Sequence, residues 1–195
     1  MGNINTEVYW DNKFKRTKKF RYHPFENIIN IIGESIKNPK EILDLGCALG
    51  DFQVLSKKHF NNSRIIGIDF SKEAIDRCKN NYPDMEWIKA DLPDLSMFSN
   101  DSVDVVTIIE TLEHINNPED TVNEMHRILR KGGIGIISVP YGKTLDLREH
   151  VNCWLSEKSM GKFIEKTKFE KSYEFKKHGK ILFFRLNILA LLHKI

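Results

Sequence analysis

The sequence has little of what would place it in a specialised class of protein. It contains only three cysteines, Cys47, Cys78 and Cys153, which are far apart and odd in number. They fit neither a disulfide framework nor a zinc site, and they favour a reducing compartment. An apolar signal core is missing from the N-terminus, so we expect a cytoplasmic protein. Internal repeats and low-complexity segments are absent as well.

Size, composition and charge also give no sign of an unusual class of protein. The 195 residues are 41% hydrophobic and 29% charged, which is ordinary for one globular domain with a sizeable core. A formal net charge of +3 is too small to indicate nucleic-acid binding by itself. The apolar run 181–192 is too short, and too interrupted by Arg185 and Asn187, to span a bilayer. We expect it to form the last antiparallel strand of a sheet; alternatively, this apolar C-terminus contacts a protein or, peripherally, a membrane.

The most informative stretch is 44–50, which reads Asp-Leu-Gly-Cys-Ala-Leu-Gly. An apolar run precedes it and a helix-like segment follows, so a strand, a tight turn and a helix form a nucleotide-binding corner. Its small residues are spaced two apart, unlike the dinucleotide fingerprint, and no lysine or arginine occurs from 41 to 56. A phosphate would want a cation or an uncluttered helix start. The carboxylates here suit a ligand that is positively charged and lacks phosphate.

Four further strand patterns follow this corner in a consistent order. The buried-strand pattern 64–69 ends in Asp69, close to where a Rossmann-like fold places its ribose-binding carboxylate. A carboxylate suits that place because it can accept from both ribose hydroxyls. The pattern 85–89 is followed by Ala-Asp-Leu at 90–92, and apolar strands are predicted at 103–109 and 133–140.

Taken together, these segments resemble the class I S-adenosylmethionine-dependent methyltransferases over about residues 39–141. Residues 44–50 are similar to their motif I, with Ala48 in place of the middle glycine. The resemblance implies a Rossmann-like sandwich whose seven-stranded, mostly parallel sheet has the order 3-2-1-4-5-7-6, with strand 7 antiparallel and helices on both faces. It implies one domain, 1–195. Residues 1–38 would form a lid, 39–141 the cofactor-binding core, and 142–195 a substrate-side loop, helix and last strands.

The same resemblance implies S-adenosylmethionine as cofactor and S-adenosylhomocysteine as its product. Asp69 would bind the ribose, Asp91 the adenine amino group, and Leu92 the adenine ring through its backbone. Arg21 and His23, from the basic region before the first strand, are candidates for the methionine carboxylate. The predicted cofactor-binding residues are Asp44, Gly46, Cys47, Ala48, Gly50, Asp69, Phe70, Asp91, Leu92, Glu110, Arg21 and His23.

The chemistry is expected after the fourth strand, because ligands collect at the carboxyl ends of parallel strands. There the chain carries Glu110, Glu113 and His114. We predict His114, His150 and Glu113 as catalytic residues, with either histidine as general base, since imidazole titrates near neutral pH. In the alternative interpretation Glu110 shapes the cofactor pocket, while Glu113 and His114 only order the loop.

The same segment raises the question of a metal. Glu110-x-x-Glu113-His114 resembles the corresponding segment of ubiquinone-pathway O-methyltransferases, and part of the metal site of small-RNA 3′-terminal 2′-O-methyltransferases. With His150, these groups could hold a divalent cation that lowers the pKa of an acceptor hydroxyl. The RNA enzymes have a further histidine where this chain has Ile115. We therefore predict no metal, and keep these four residues as the alternative site.

We predict methyl transfer to a small molecule, at a hydroxyl oxygen. The acceptor pocket is expected from the N-terminal arm and the loops 110–115 and 141–154, lined by aromatic residues: Tyr9, Trp10, Tyr22, Tyr141 and Trp154. One alternative is RNA methylation, in which the cations and aromatics of residues 13–22 bind single-stranded nucleic acid. Another is a non-catalytic module that binds the cofactor and serves an interaction, because a fold does not imply a function.

Overall fold

A mixed seven-stranded sheet forms the centre of the described part of the chain, in the order β3-β2-β1-β4-β5-β7-β6. The computed structural model describes residues 4–18, 25–92, 94–140, 148–169, 172–176 and 187–195. The strands are β1 (Glu41–Leu45), β2 (Arg64–Asp69), β3 (Glu86–Lys89), β4 (Val103–Ile109), β5 (Leu129–Pro140), β6 (Tyr173–Phe175) and β7 (Asn187–His193). The helices are α1 (Glu7–Arg16), α2 (Phe25–Ser35), α3 (Asp51–His59), α4 (Lys72–Asn81), α5 (Pro118–Ile128) and α6 (Glu157–Ile164).

Strands β1 to β5 are parallel to one another, whereas β7 runs antiparallel to both β5 and β6. Every residue of β4 is buried, as expected for a central parallel strand covered by helices on both faces. Apolar clusters lie on the two sides of the sheet, one of them against α2. The predicted fold class, strand order and antiparallel strand 7 are confirmed.

Local sequence explains where the helices around the site begin. Gly50 adopts a left-handed conformation (φ 81°) directly before α3. Ser71 caps α4, because its side chain accepts from the Ala74 N–H at 3.2 Å. Ser156 and Ser159 form a reciprocal capping box at the start of α6. Helices α3 and α4 therefore start shortly after the carboxyl ends of β1 and β2, where the site lies.

The boundary between α5 and β5 differs from the sequence prediction. The segment Lys131-Gly132-Gly133 is typical of a helix end, and the strand is predicted to begin only at 133. In the structure α5 ends at Ile128 and β5 begins at Leu129. Leu129 is fully buried and already pairs with Val103 in the sheet. The glycine pair instead lies within an irregular start of β5, where a Cβ on Gly133 would approach the Asp104 carbonyl oxygen to 2.9 Å.

The apolar C-terminal run is an interior strand over the part that the structure describes. Residues 188–192 are buried, and β7 lies between β5 and β6. The expected antiparallel strand is therefore present. Residues 181–186 lie outside the described residues, so a partner or membrane contact there stays a prediction. None of the helices in the described ranges is long and apolar enough to cross a membrane.

Candidate active site

A cavity of about 460 Å³ lies at the carboxyl ends of β1, β2 and β4. This volume is within the range of small-molecule sites. Predicted cofactor residues on its wall are Asp44, Gly46, Cys47, Ala48, Asp69, Phe70, Asp91, Leu92 and Glu110, and the predicted catalytic residues Glu113, His114 and His150 line it too. Gly50 is not part of that wall. Arg21 and His23 lie outside the described residues.

The turn after β1 is fixed to the end of β2. The N–H groups of Gly46 and Cys47 both donate to the carbonyl oxygen of Ile68, each at 2.8 Å. Gly46 has φ 84°, and a Cβ there would lie 2.3 Å from Thr111 Oγ1, so only glycine fits without a shift. Ala48 is also left-handed, at φ 49°. The turn therefore presents its backbone closely to whatever fills the cavity.

Asp69 connects that turn to α4. One carboxylate oxygen accepts from the Ala48 N–H and the other from the Ser71 N–H, both at 2.9 Å. Each oxygen keeps a lone pair for a hydroxyl of a bound ribose. Burial raises the pKa of Asp69 to about 6, against the effect of these backbone donors. The group is therefore mainly ionised at neutral pH, as a hydroxyl acceptor requires.

Asp44 supplies a second buried carboxylate beneath the turn. Thr107 Oγ1 donates to it at 2.5 Å and Gln53 Nε2 at 2.6 Å. Burial raises its pKa to about 7, although both donors act in the opposite direction. With Asp69 and Asp91, it gives this wall of the cavity acidic character. A glycine-shaped turn and acidic side chains on one wall fit S-adenosylmethionine, which carries a sulfonium and a ribose diol.

The opposite wall begins where β4 ends. Glu110 has φ 51°; its N–H donates to the Ser138 carbonyl at 2.8 Å, and its carboxylate accepts from Ser138 Oγ at 3.1 Å. A short 3-10 helix, Leu112–His114, follows. The Glu113 carbonyl accepts from the N–H groups of Val151 at 2.8 Å and Asn152 at 3.1 Å. Two segments distant in sequence are thereby joined.

Glu113, His114 and His150 form one cluster, in which one possible ligand atom from each lies within 4.8 Å of the others. His114 Nε2 is 3.9 Å from Glu113 Oε1, and the two imidazole centroids are 5.0 Å apart. Glu110, the fourth residue of the metal hypothesis, is not in this cluster. The sequence prediction thus named three side chains that the fold brings together.

The state of His114 follows from its partner. Its Nδ1 lies 3.0 Å from the carbonyl oxygen of Glu149. A carbonyl only accepts, so Nδ1 carries the proton and Nε2 offers a lone pair. Burial lowers the pKa of His114 to about 4, which keeps the ring neutral at neutral pH.

Helix α1 closes the third side of the cavity. Trp10 lines it and packs edge-on against the His114 ring at 4.8 Å. Tyr9 does not line the cavity; its hydroxyl donates to Glu149. Trp154 lies in the core against Phe163, 5.1 Å away. The other two aromatic residues proposed for the pocket, at positions 22 and 141, are outside the described residues.

Sequence reasoning did not single out Asn5 or Glu149. Asn5 lines the cavity and donates to the Glu149 carbonyl at 2.8 Å. The Glu149 carboxylate accepts hydrogen bonds from Tyr9 and Lys13 of helix α1. Neither belongs to a motif, and only the assignment of loop 141–154 to the pocket pointed toward Glu149.

The chain is similar to known methyltransferases in sequence. Residues 43–137 match the family model described as a methyltransferase domain. A tRNA N(3)-methylcytidine methyltransferase of Schizosaccharomyces pombe is 26% identical over 161 residues, which cover 73% of this chain and 52% of that protein. A carboxy-S-adenosyl-L-methionine synthase of Vibrio vulnificus is 31% identical over 129 residues, covering 60% of this chain and 52% of that protein. The chain thus spans about half the length of these curated relatives.

The fold comparison agrees with the sequence comparison. A solved structure from Nostoc punctiforme superposes with a TM-score of 0.78 at 16% identity, covering 99% of this chain and 62% of that one. At that identity the likeness concerns the fold alone. Motif, fold and family model together identify a class I S-adenosylmethionine-dependent methyltransferase domain. Residues 43–137 of the chain thus carry this methyltransferase domain, and the family implies S-adenosylmethionine as its cofactor.

Proposed function

We propose that this protein transfers the methyl group of S-adenosylmethionine to a hydroxyl oxygen of a small molecule. One observation carries the proposal. A single cavity combines the glycine-shaped turn and Asp69 on one wall with Glu113, His114 and His150 on another. A cofactor-binding wall thus faces side chains able to handle a proton, and the space between them suits a small acceptor.

The cofactor-binding wall has a defined task for each residue. Asp69 accepts from the ribose hydroxyls, and Gly46 lets the ligand pass close to the turn. Asp91 and Leu92, which line the cavity after β3, hold the adenine. Bound there, S-adenosylmethionine supplies a methyl group already activated on a sulfonium. Holding the acceptor in line with that methyl then accounts for much of the rate enhancement.

The other wall handles the proton. The hydroxyl proton would move to His114 Nε2, whose lone pair the hydrogen bond to Glu149 leaves available, as the acceptor oxygen bonds the methyl carbon and the bond from that carbon to sulfur breaks to release S-adenosylhomocysteine. The carboxylate of Glu113, 3.9 Å from Nε2, stabilises the resulting imidazolium. His150 lies against the His114 ring and contacts the acceptor from the side.

Isothermal titration with S-adenosylmethionine and S-adenosylhomocysteine tests the first half of this proposal. We expect micromolar binding, followed by methyl transfer to hydroxyl compounds in an acceptor screen that detects S-adenosylhomocysteine. Folded protein that binds neither ligand would overturn the assignment. Binding without turnover across hydroxylated, amine and RNA acceptors would favour the non-catalytic interaction module instead.

The cluster of Glu113, His114 and His150 also supports a test for a metal. Three protein ligands with open positions resemble sites in which a cation activates a hydroxyl. His114 Nδ1 donates to a backbone carbonyl, an arrangement that orients many metal-binding histidines. If a divalent cation takes part, a chelator should abolish turnover, and Mg²⁺, Mn²⁺ or Zn²⁺ should restore it. Turnover that survives chelation would contradict a catalytic metal and leave general-base catalysis as the remaining interpretation.

RNA is the second candidate acceptor. The tRNA-modifying relative and three exposed cations at the end of α1, Lys15, Arg16 and Lys18, support it. Replacing all three with glutamine should weaken binding of a single-stranded RNA and reduce the salt dependence of that binding. A small hydroxylated acceptor should be methylated equally well by this variant and by the unaltered protein.

A further inference from the structure

We infer that Glu149 is a positioning residue that couples closure of helix α1 over the cavity to the orientation of His114. The inference rests on the proposed function, because His114 is assigned there to the acceptor proton. Glu149 does not need to touch cofactor or acceptor. It acts through two separate groups, its carboxylate and its carbonyl oxygen.

The carboxylate of Glu149 binds two side chains of helix α1. The hydroxyl of Tyr9 donates to Glu149 Oε1, and Lys13 Nζ lies 2.8 Å from the same oxygen. The Glu149 side chain is only 12% exposed, so this ion pair is better shielded than an ordinary surface pair. Hydrogen bonds to an ionised group are the stronger kind. Two adjacent turns of α1 are therefore held at one point.

The carbonyl oxygen of the same residue serves both partners. It accepts from Asn5 Nδ2 at 2.8 Å, just before α1, and from His114 Nδ1 at 3.0 Å. A displacement of residue 149 therefore affects the N-terminal segment and the imidazole together. The N–H groups of Val151 and Asn152 bind the Glu113 carbonyl, so the residues after Glu149 are tied to the same 3-10 helix.

A second contact runs directly from helix to histidine. Trp10 packs against the His114 ring at 4.8 Å between centroids, and Lys13 Nζ lies 4.4 Å from the Trp10 ring centroid. Lys13 thus contacts both the carboxylate of Glu149 and the aromatic ring that covers His114. If α1 lifts, His114 loses the packing of Trp10 as the Glu149 carbonyl is released.

At neutral pH the protonation states of Glu149 and Tyr9 both favour the hydrogen bond between them. Burial of Glu149 is opposed by hydrogen bonds from Lys13 and Tyr9, which lower its pKa to about 2. Burial and the bond to Glu149 raise the pKa of Tyr9 to about 12. Across the intervening pH range Glu149 accepts and Tyr9 donates. Opening of the helix is therefore not driven by titration of this pair.

Two measurements on the full chain, made without cofactor or acceptor, test the coupling. Hydrogen exchange reports on the backbone amides of α1, and ¹⁵N-histidine correlation spectra report the tautomer of His114, assigned with His114→Gln. In Glu149→Ala we expect exchange in α1 about tenfold faster or more, together with loss of the fixed Nδ1–H tautomer. Glu149→Gln, which keeps an acceptor without the charge, should lie between this variant and the unaltered protein.

Matched controls keep the test sharp. Glu7→Gln is the control. It removes a carboxylate on α1 itself, which pairs with exposed Lys89 at 3.0 Å, and it should change neither measurement. Tyr9→Phe and Lys13→Met each remove one donor if Glu149→Ala does not fold, and both should shift the two measurements together. Faster exchange in α1 with an unchanged His114 tautomer would overturn the coupling, as would no change in either. If Glu149→Ala changes both the exchange of α1 and the His114 tautomer, but the unaltered protein binds no S-adenosylmethionine, the coupling stands and only the proposed function is contradicted.

Discussion

The two walls of the cavity are built by different means. The cofactor wall is held by neighbouring parallel strands, where backbone N–H groups of the 44–50 turn bind the Ile68 carbonyl and Asp69. The acceptor wall is assembled from side chains of segments far apart in sequence, such as Lys13 and Glu149. The first wall follows from the sheet itself, whereas the second depends on a few long-range contacts. On the proposed function, replacements in the second wall should therefore change the choice of acceptor without disturbing cofactor binding.

The largest expected effect is a loss of turnover that leaves cofactor affinity nearly unchanged, which would separate the functions of the two walls. His114→Ala should lower turnover by about a hundredfold or more, the usual loss when a general base is removed. Affinity for S-adenosylhomocysteine should change far less, because Asp69 and the turn are untouched. Steady-state kinetics and calorimetry on one preparation would compare the two. His59→Ala, which alters a half-exposed histidine on α3, is the control and should leave both unchanged.

Asp69→Ala should do the reverse and weaken S-adenosylhomocysteine binding by roughly a hundredfold. The variant loses two hydrogen bonds to a charged acceptor. Calorimetry measures the affinity, and Asp76→Ala, an exposed acid on α4, provides the matched control. Equal affinities for Asp69→Ala and the control would contradict the assignment of Asp69 to the ribose.

Gly46→Ala tests how tightly the turn is built. The new methyl group meets Thr111 Oγ1 in a left-handed conformation, so we expect the free energy of unfolding to fall by about 1–3 kcal/mol. Adding Thr111→Ala should restore part of that loss in a double-mutant cycle followed by urea denaturation. Gly33→Ala in α2, where nothing lies within 4 Å, should stabilise by about 0.5–1 kcal/mol. Destabilisation of equal size at both glycines would refute the steric account.

The smallest expected effect is a pH dependence of the cofactor wall. The folded pKa of Asp69 is raised to about 6, so the carboxylate loses its charge as the pH falls through that value. Affinity for S-adenosylhomocysteine should therefore drop about fourfold from about pH 7.5 to about pH 5.5. Asp69→Asn should abolish the Asp69 contribution, and Asp44→Asn separates any contribution of Asp44, whose pKa is about 7. An unchanged slope in Asp69→Asn would assign the titration elsewhere.

More of the cofactor wall than of the other wall could be predicted from the sequence, because the first is built by sheet geometry and the second by long-range contacts. Turn chemistry and strand order placed Gly46 and Asp69 at one edge of the sheet, and the family resemblance added Asp91; all three line the cavity. Glu149 could not, because the partners of its carboxylate lie more than 130 residues away and share no periodic pattern with it. The start of β5 was missed because a glycine pair usually ends a helix, whereas pairing of Leu129 with Val103 decided the boundary.

The shared acceptor at Ile68 has a thermodynamic consequence. Because the N–H groups of Gly46 and Cys47 both bind one carbonyl, the turn and the end of β2 move as one body. A ligand therefore meets the turn already in its binding shape, and few backbone torsions remain to be fixed on that side. Any conformational entropy lost on binding should come mainly from α1 and its surroundings, where order depends on side chains.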